Sequence, residues 1–348
     1  MRRKAGTGLL IAALVLLAGA ACTPSVAPRV EAHRPAEIRE DVLVMQDGGL
    51  LPYQRWSPDG TPKAAVIALH GFNDYSGAYR DLGPLLAARG LLVIAYDQRG
   101  FGGTSMRGDW AGAEAMIRDL DTVTELLRKA HPDLPVYALG ESMGGAVIMA
   151  ALGGYSPPRL DGAVLSAPAV WGRSTMNAWQ RGALTAGAHL APRIHVRPQT
   201  LPKLPSDNIE MLRRLYYDPM MIKETRIESA WGLTGLMDRA LEAAPLLDTP
   251  LLVLYGKEDG IIPRGPTCRM LQTLPDGPGG ARRWRLALYE NGYHMLFRDL
   301  EGDLVSTDIA AWLENPSGPL PSGAELTVKG GARALPEFCR PVPRDRAR

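Results

Sequence analysis

The sequence predicts an α/β fold built on a mostly parallel, doubly wound sheet. Short, continuously apolar runs alternate with longer stretches of helical periodicity between residues 64 and 313. Continuous apolar runs are typical of parallel strands that are buried on both faces. Strand and helix in turn imply right-handed crossover connections. A chain of 348 residues with 46% hydrophobic and 22% charged residues is long enough to bury one large core.

The elements follow in order along the chain. Two apolar runs, 42–45 and 50–56, flank a glycine turn at 47–49 and predict an opening hairpin. The predicted strands of the main sheet are 64–69, 91–96, 136–139, 163–165, 251–255 and 284–289. The predicted helices are 79–89, 113–130, 143–152, 266–274 and 300–313. Gly, Pro or Asp flanks the strands, which favours turns at their ends.

The alternation breaks between residues 168 and 245, where Trp, Met and Leu residues stand among short helical patterns such as 209–217. An insertion into the core is the simplest interpretation. After Glu314 the chain becomes rich in proline and glycine and ends in an arginine-rich stretch. The predicted organisation is an α/β core at 41–167 and 246–314, an inserted cap at 168–245 and a peripheral extension at 315–348.

The first 22 residues have the features of an export signal. A basic start at residues 2–4 precedes an apolar stretch at 9–21 that is too short to span a bilayer comfortably. The small residues directly before Cys22 resemble a bacterial lipoprotein signal, whose cysteine becomes lipidated and N-terminal. An ordinary cleaved secretory signal and an uncleaved anchor stay as alternatives. All three predict an exported protein.

A lipid on Cys22 would make the protein a lipoprotein of the bacterial cell envelope, attached to a membrane by its N-terminus. Thr23 follows the cysteine, which resembles lipoproteins that are sent on to the outer membrane. Residues 23–40, rich in proline, alanine and charge, are then expected to be a tether. In an oxidising compartment Cys268 and Cys339 can form one disulfide, and the sequence leaves open whether they pair.

Composition and motifs argue against several partners. The chain has 39 basic and 37 acidic residues and no long block of like charge, so we expect no binding to nucleic acid. It has neither paired Cys-x-x-Cys nor His-Glu-x-x-His motifs, so we expect no metal and no cofactor. The glycine-rich stretch 97–105 lacks the spacing of a phosphate-binding loop. Asp97 and Arg99 are expected to form an internal ion pair or turn hydrogen bonds.

The motif Gly-Glu-Ser-Met-Gly at 140–144 lies between a predicted strand and a predicted helix. A nucleophile elbow needs this arrangement of strand, sharp turn and helix, and the glycines leave room for it. Ser142 is therefore the candidate nucleophile. The amide of Met143 at the helix start and the amide of Phe72, in the loop after an earlier strand, are the candidate donors to an oxyanion. His70 is interpreted as a structural residue that orders this loop.

A serine hydroxyl needs a general base to take its proton. His294 follows the last apolar strand in a polar, glycine-containing loop, from which an imidazole can project over the sheet. The acid that orients the histidine should leave a strand between the nucleophile and the base. Asp259, at the end of Gly-Lys-Glu-Asp at 256–259, is the best placed carboxylate, and Glu258 is its competitor.

Five segments together resemble the monoglyceride lipase and lysophospholipase group of α/β-hydrolases, which is similar to serine aminopeptidase S33. The segments are His-Gly-Phe at 70–72, Asp-Gln-Arg-Gly-Phe-Gly-Gly-Thr-Ser at 97–105, Gly-Glu-Ser-Met-Gly-Gly at 140–145, Gly-Lys-Glu-Asp at 256–259 and Gly-Tyr-His at 292–294. The resemblance covers about residues 40–314. It implies an α/β-hydrolase fold with a helical cap that acts as a lid over an acyl pocket. The cap is longer than a typical small lid, so a preference for acyl-chain length does not carry over.

The resemblance also implies a serine hydrolase for carboxylic esters, with Ser142, Asp259 and His294 as its catalytic triad. Lipid-like or simple acyl esters are the expected substrates. An acyltransferase with the same triad stays open as an alternative, and so does a non-catalytic, hydrolase-like binding lipoprotein. Peptidase chemistry on the same fold also stays open. Serine rather than aspartate at the elbow disfavours epoxide and haloalkane chemistry.

Overall fold

The computed structural model describes residues 24, 26, 34–197, 204–276, 283–326 and 337–339. The proposed signal with Cys22 lies outside the described residues. Nine strands form one sheet, and two further strands, β8 and β9, pair with each other. In chain order the strands are β1 (Glu37–Ile38), β2 (Val42–Val44), β3 (Leu50–Trp56), β4 (Ala64–Leu69), β5 (Leu91–Tyr96), β6 (Val136–Glu141), β7 (Gly162–Ser166), β8 (His195–Val196), β9 (Thr225–Arg226), β10 (Leu251–Gly256) and β11 (Trp284–Tyr289).

The large sheet has the strand order β1-β2-β3-β5-β4-β6-β7-β10-β11. Its first three strands pair antiparallel, and β3 also runs antiparallel to β5. From β5 to β11 all neighbours are parallel. The predicted mostly parallel sheet is therefore confirmed, and the carboxyl ends of β4, β6, β10 and β11 lie at one edge.

Eight helices are described. They are α1 (Leu82–Ala88), α2 (Ala113–Ala130), α3 (Met143–Leu152), α4 (Ala178–Leu190), α5 (Ile209–Tyr217), α6 (Ile227–Ala243), α7 (Arg264–Thr273) and α8 (Gly302–Glu314). The first helix begins three residues later than predicted, after a 3-10 turn at Ser76–Tyr79. Pro84 explains this start, because proline lacks an N–H and is tolerated in a first helical turn.

Both faces of the sheet are covered. Every residue of β4 is buried, and its side chains alternate between two hydrophobic clusters. Ala65, Ile67 and Leu69 belong to the cluster that includes α2, α3 and α6, whereas the residues between them belong to the cluster with α1 and α8. Alternation with a period of two residues is the geometry of a strand. A strand covered on both sides has no polar face, which explains the continuous apolar runs of the sequence.

The residues between β7 and β10 carry α4, β8, α5, β9 and α6. This insertion contacts the core through α6, which packs against α3. Within the described part of the chain, no helix combines the length and apolarity needed to cross a membrane.

The C-terminal extension is attached to the body at several places. Leu288 donates its amide to Ala324, and Leu326 donates to Leu286, both at 2.9 Å, so the extension forms an isolated antiparallel β-bridge with β11. Cys268 of α7 and Cys339 form a disulfide, with 5.5 Å between their Cα atoms. The pairing that the sequence left open is therefore made.

Candidate active site

Ser142 occupies a strained turn between β6 and α3. Its φ of +51° and ψ of −111° lie where non-glycine residues are rarely found. The backbone is held there by two hydrogen bonds: the amide of Ser142 donates to Ser166 at 2.9 Å, and its carbonyl accepts from Ala169 at 2.9 Å. Such strain persists only where the surrounding structure enforces it. The turn has the predicted form of a nucleophile elbow.

The two glycines of the serine motif are required by close contacts. A Cβ atom on Gly140 would lie 2.4 Å from the amide nitrogen of Gly145. A Cβ atom on Gly144 would lie 2.1 Å from the carbonyl oxygen of Leu69, on the neighbouring strand. Both contacts are with backbone atoms, which cannot move away as a side chain can. The spacing of the motif is therefore a consequence of how tightly α3 packs on the sheet.

Asp259 and His294 are brought together at the ends of β10 and β11. The Nδ1 atom of His294 lies 2.9 Å from Oδ2 of Asp259. A carboxylate only accepts, so Nδ1 carries the proton and Nε2 is left as the basic nitrogen. The other oxygen of Asp259 accepts from the amides of Ile261 and Ile262 at 2.8 and 2.9 Å. Glu258, the competitor, is exposed whereas Asp259 is buried. Asp259 is therefore the partner of the imidazole.

The electrostatic surroundings of His294 favour its protonated form. Burial lowers the pKa of this imidazole, but the charge and hydrogen bond of Asp259 raise it, and the net pKa is raised from the ordinary 6.5. Glu141 also raises the pKa of His294, whereas Arg298 lowers it. A base of raised pKa is a stronger proton acceptor, at the cost of being protonated over a wider acidic range.

Two glycines allow the acid and base loops to touch. A Cβ atom on Gly256 would lie 2.2 Å from the carbonyl oxygen of Gly292. The amide of Glu258 donates to the same oxygen at 3.0 Å. The glycines that marked these loops in the sequence are therefore explained by the close passage of one loop over the other.

The candidate oxyanion donors lie in the loop after β4 and at the start of α3. A Cβ atom added to Gly71 would lie 3.5 Å from the Cβ of Ser142, so this loop passes directly beside the nucleophile. Among the described residues, neither the amide of Phe72 nor that of Met143 donates to another protein group. The N-terminus of α3 also carries a partial positive charge. These amides can therefore receive a substrate oxygen.

His70 is buried and has both ring nitrogens engaged with the backbone. Nδ1 donates to the carbonyl of Gly71 at 2.8 Å, and Nε2 accepts from the amide of Gln98 at 2.9 Å. Burial lowers the pKa of His70, which favours the neutral ring that these two bonds require. This arrangement agrees with the structural role that the sequence suggested.

Asp97 and Arg99 do not pair with each other. Asp97 accepts from the amide of Gly103 at 2.7 Å, a bond within the loop as predicted, and from the amide of the distant Ser76 at 2.8 Å. Arg99 instead bridges Asp47 and Asp119, at 2.7 and 2.6 Å. An ion pair between Asp97 and Arg99 is therefore not formed, because Arg99 pairs with carboxylates outside the loop.

The insertion contacts the loop that carries His294. The carbonyl of Pro205 accepts from the amides of His294 and Met295 at 3.1 and 3.0 Å. The hydroxyl of Ser206 donates to Asp299 at 2.6 Å, and the other oxygen of Asp299 accepts from the amide of Tyr293 at 2.7 Å. Burial raises the pKa of Asp299 to about 6. This contact was missed in the sequence, where nothing relates residues about 90 positions apart.

A second group that the sequence did not reveal consists of Asp74, Glu141 and Arg298. All three are buried, and Arg298 pairs with both carboxylates. The signal available was that charged residues stand inside otherwise glycine-rich or apolar site motifs. Within the described ranges, no cluster of three or more His, Cys, Asp or Glu side chains is arranged to hold a metal ion.

A mostly parallel sheet, a strained serine turn after β6 and an Asp–His pair at the same sheet edge define the class of α/β-hydrolases. Residues 60–301 match the serine aminopeptidase S33 family, and the chain belongs to this family. This confirms at the family level the resemblance that the sequence motifs indicated.

The chain is similar to several lipases. It is 29% identical over 270 residues to a monoacylglycerol lipase of Mycolicibacterium smegmatis, which covers 76% of this chain and 94% of that protein. It is 28% identical over 303 residues to a monoglyceride lipase of Rattus norvegicus, with 84% and 93% covered. The crystal structure of Paleococcus ferrophilus monoacylglycerol lipase superposes with a TM-score of 0.64 at 23% identity, over 76% of this chain and 98% of that one. At that identity the structural likeness shows the fold.

Proposed function

We propose that this protein hydrolyses carboxylic esters with lipid-like or simple acyl chains, using Ser142 as nucleophile, His294 as general base and Asp259 as the orienting acid. The observation that carries the proposal is the 2.9 Å hydrogen bond between Asp259 and His294, at the sheet edge where the turn of Ser142 also lies. The relatives that are named monoacylglycerol or monoglyceride lipases support an ester substrate.

In the proposed reaction, Nε2 of His294 takes the hydroxyl proton of Ser142 while Oγ attacks the ester carbonyl carbon. The carbonyl oxygen becomes an oxyanion and accepts hydrogen bonds from the amides of Phe72 and Met143. The intermediate collapses, the alcohol leaves with the proton from His294, and an acyl-enzyme remains. Water then adds through the same base, and the carboxylic acid is released from Ser142.

We further propose that the insertion 168–245 is a lid over the acyl site. It exposes large apolar side chains, among them Trp179 at 82%, Leu190 at 78% and Tyr217 at 76%. A segment that binds apolar groups is expected to present large apolar side chains at its surface. They support a lipid-like substrate.

We propose that the N-terminal 22 residues export the protein and that Cys22 carries a lipid anchor. The disulfide between Cys268 and Cys339 supports export, because disulfides persist in oxidising compartments. In a bacterial host, Cys22→Ser is expected to move the protein from the membrane fraction to the soluble envelope fraction. An unchanged distribution would argue against the anchor.

The test of the activity is a panel of short, medium and long acyl p-nitrophenyl esters and monoacylglycerols. Labelling by a fluorophosphonate probe and ester turnover should both be lost in Ser142→Ala. Both should be kept in Ser174→Ala, a substitution at an exposed serine of the insertion. Equal labelling of wild type and Ser142→Ala would refute the nucleophile. Added glycerol distinguishes the acceptor: acyl glycerol formed in place of free acid would indicate an acyltransferase.

A further inference from the structure

One buried arginine connects three loops of the site. A guanidinium nitrogen of Arg298 donates to Asp74 at 2.8 Å, and another donates to Glu141. The three side chains are between 1% and 6% exposed. Charged groups are kept out of water only where they are paired, and removing one partner leaves the others uncompensated. The bridge is therefore a fixed part of the folded protein.

The three charges lie on different catalytic loops. Asp74 belongs to the loop of the proposed oxyanion donor, Glu141 directly precedes the proposed nucleophile, and Arg298 ends the short 3-10 turn that follows the proposed base. The loops also approach one another at Gly71, where an added Cβ would lie 3.8 Å from Oε2 of Glu141 and 3.5 Å from Cβ of Ser142. A planar, forked guanidinium fixes both distance and direction between its two partners.

We propose that Arg298 is a positioning residue whose fork, through Asp74 and Glu141, holds the oxyanion loop, the nucleophile turn and the base loop in one reactive arrangement. This inference rests on the function proposed above. Reaction rates are sensitive to such an arrangement, because misplacement of reacting groups by about 1 Å can cost on the order of 100-fold in rate.

The network also has an electrostatic effect that a purely structural bridge would lack. Burial lowers the pKa of His294, Asp259 raises it most among the charges, and Glu141 raises it further, whereas Arg298 lowers it. Asp299 directly follows the 3-10 turn, and the charge of His294 lowers the pKa of this carboxyl. Removing the charge of Glu141 alone should therefore lower the pKa of His294 and extend activity to lower pH.

The experiment compares the ester hydrolysis rates of Arg298→Lys and Glu141→Gln with that of wild type. The concentration of active sites is determined by titration with the fluorophosphonate probe. Lysine keeps the charge but cannot bridge both carboxylates in one plane. We expect kcat to fall by about 10- to 100-fold with KM changed by less than about threefold, and the acid limb of kcat/KM to stay in place. Glu141→Gln should move this limb to lower pH, because the carboxylate charge that raises the pKa of His294 is lost.

Arg99→Lys is the matched control. Arg99 also bridges two carboxylates, Asp47 and Asp119, but neither of them lies on a catalytic loop. We expect this variant to be less stable, with kcat per active site and the acid limb unchanged.

The proposal is overturned if folded Arg298→Lys keeps its kcat per active site within about twofold of wild type. An acid limb that does not move in Glu141→Gln overturns it as well, and this variant decides the matter if Arg298→Lys does not fold. Failure of the proposed function is distinguishable, because wild-type protein itself would then neither bind the probe nor hydrolyse esters.

Discussion

Asp259 shows how one side chain is fixed before it orients another. One carboxylate oxygen is held by two backbone amides of its own loop, and the other is left for His294. Because the acceptor cannot turn, the imidazole plane and its tautomer are fixed in advance. Preorganisation of this kind avoids the cost of reordering the groups during the reaction.

Replacing Asp259 with Asn should reduce kcat by about 10⁴-fold, because an amide can stabilise the wrong tautomer of His294. The pKa of His294 is raised above 6.5 in the wild type, and the neutral ring is the active form. The acid limb of wild-type kcat/KM should therefore have its midpoint above pH 6.5. Loss of the carboxylate lowers this pKa, so the limb should move to lower pH in Asp259→Asn.

The exposed neighbour Glu258 offers the control for this measurement. Glu258→Gln should change kcat by less than about twofold and leave the pH profile in place, because its carboxylate is not the partner of the imidazole. The opposite result, with a large loss in Glu258→Gln and a small one in Asp259→Asn, would show that the acid has been assigned to the wrong residue.

Gly144 tests the packing of the nucleophile helix. Gly144→Ala would place a methyl group 2.1 Å from the carbonyl oxygen of Leu69, so we expect a loss of about 1–3 kcal/mol or more in the free energy of unfolding. Gly182, in α4, has nothing within 4 Å of an added Cβ. Gly182→Ala should stabilise the protein by up to about 1 kcal/mol. Urea denaturation measures both, and equal effects would exclude the steric explanation.

At the scale of elements, the insertion makes direct hydrogen bonds to the loop of the proposed base. The carbonyl of Pro205 accepts hydrogen bonds from two amides of the loop of His294. The hydroxyl of Ser206 donates to the carboxylate of Asp299, which also accepts a hydrogen bond from the amide of Tyr293. The segment that begins the second half of the insertion is thus built into the loop of the proposed base. A movement of the insertion at Pro205 would therefore displace the backbone of His294.

Ser206→Ala tests this connection. Loss of a hydrogen bond to a buried carboxylate should lower stability by about 1–3 kcal/mol, and kcat should fall because the base loop loses one of its supports. Ser322 makes a comparable bond to Asp308 at the C-terminal extension. Ser322→Ala should lower stability similarly, with kcat unchanged. The measurement is kcat per active site beside thermal melting, and equal kcat values in the two variants would contradict the connection.

The sequence predicted those elements whose signal is local. Strands β4 and β5 were predicted with their observed ends, because continuous apolar runs bounded by turn residues mark them directly. Ser142, Asp259 and His294 stand beside glycines that the close passage of backbone requires. The partners of Arg99, Arg298 and Ser206 could not be predicted, because these contacts join distant segments and depend on how loops meet in space.

At the scale of the whole molecule, the C-terminal extension packs on the part of the core that carries Asp259. Residues 324–326 form an isolated antiparallel β-bridge with β11. Phe338 stacks on Tyr255 of β10, with 5.9 Å between ring centroids, and Cys339 is bonded to Cys268 of α7. The hydroxyl of Tyr255 also donates to the carbonyl of Ile262 at 2.9 Å, in the loop of Asp259. The extension therefore contacts β10 and α7, the strand and the helix on either side of the loop of Asp259.

Removal of the disulfide should lower stability but spare the chemistry. The cysteines are 71 positions apart, and a loop of that length constrains the unfolded chain by about 4 kcal/mol in the chain-entropy estimate. We expect the double variant Cys268→Ser, Cys339→Ser to melt about 5–10 °C below wild type. At 25 °C its kcat should stay within about twofold, because Asp259 is held by amides of its own loop.

Reductant should lower the melting temperature of wild type to that of the double variant and leave the variant unchanged. A wild-type melting temperature that is insensitive to reductant would mean that the disulfide does not stabilise the fold. A large loss of kcat in the double variant would mean that the C-terminal extension also positions Asp259.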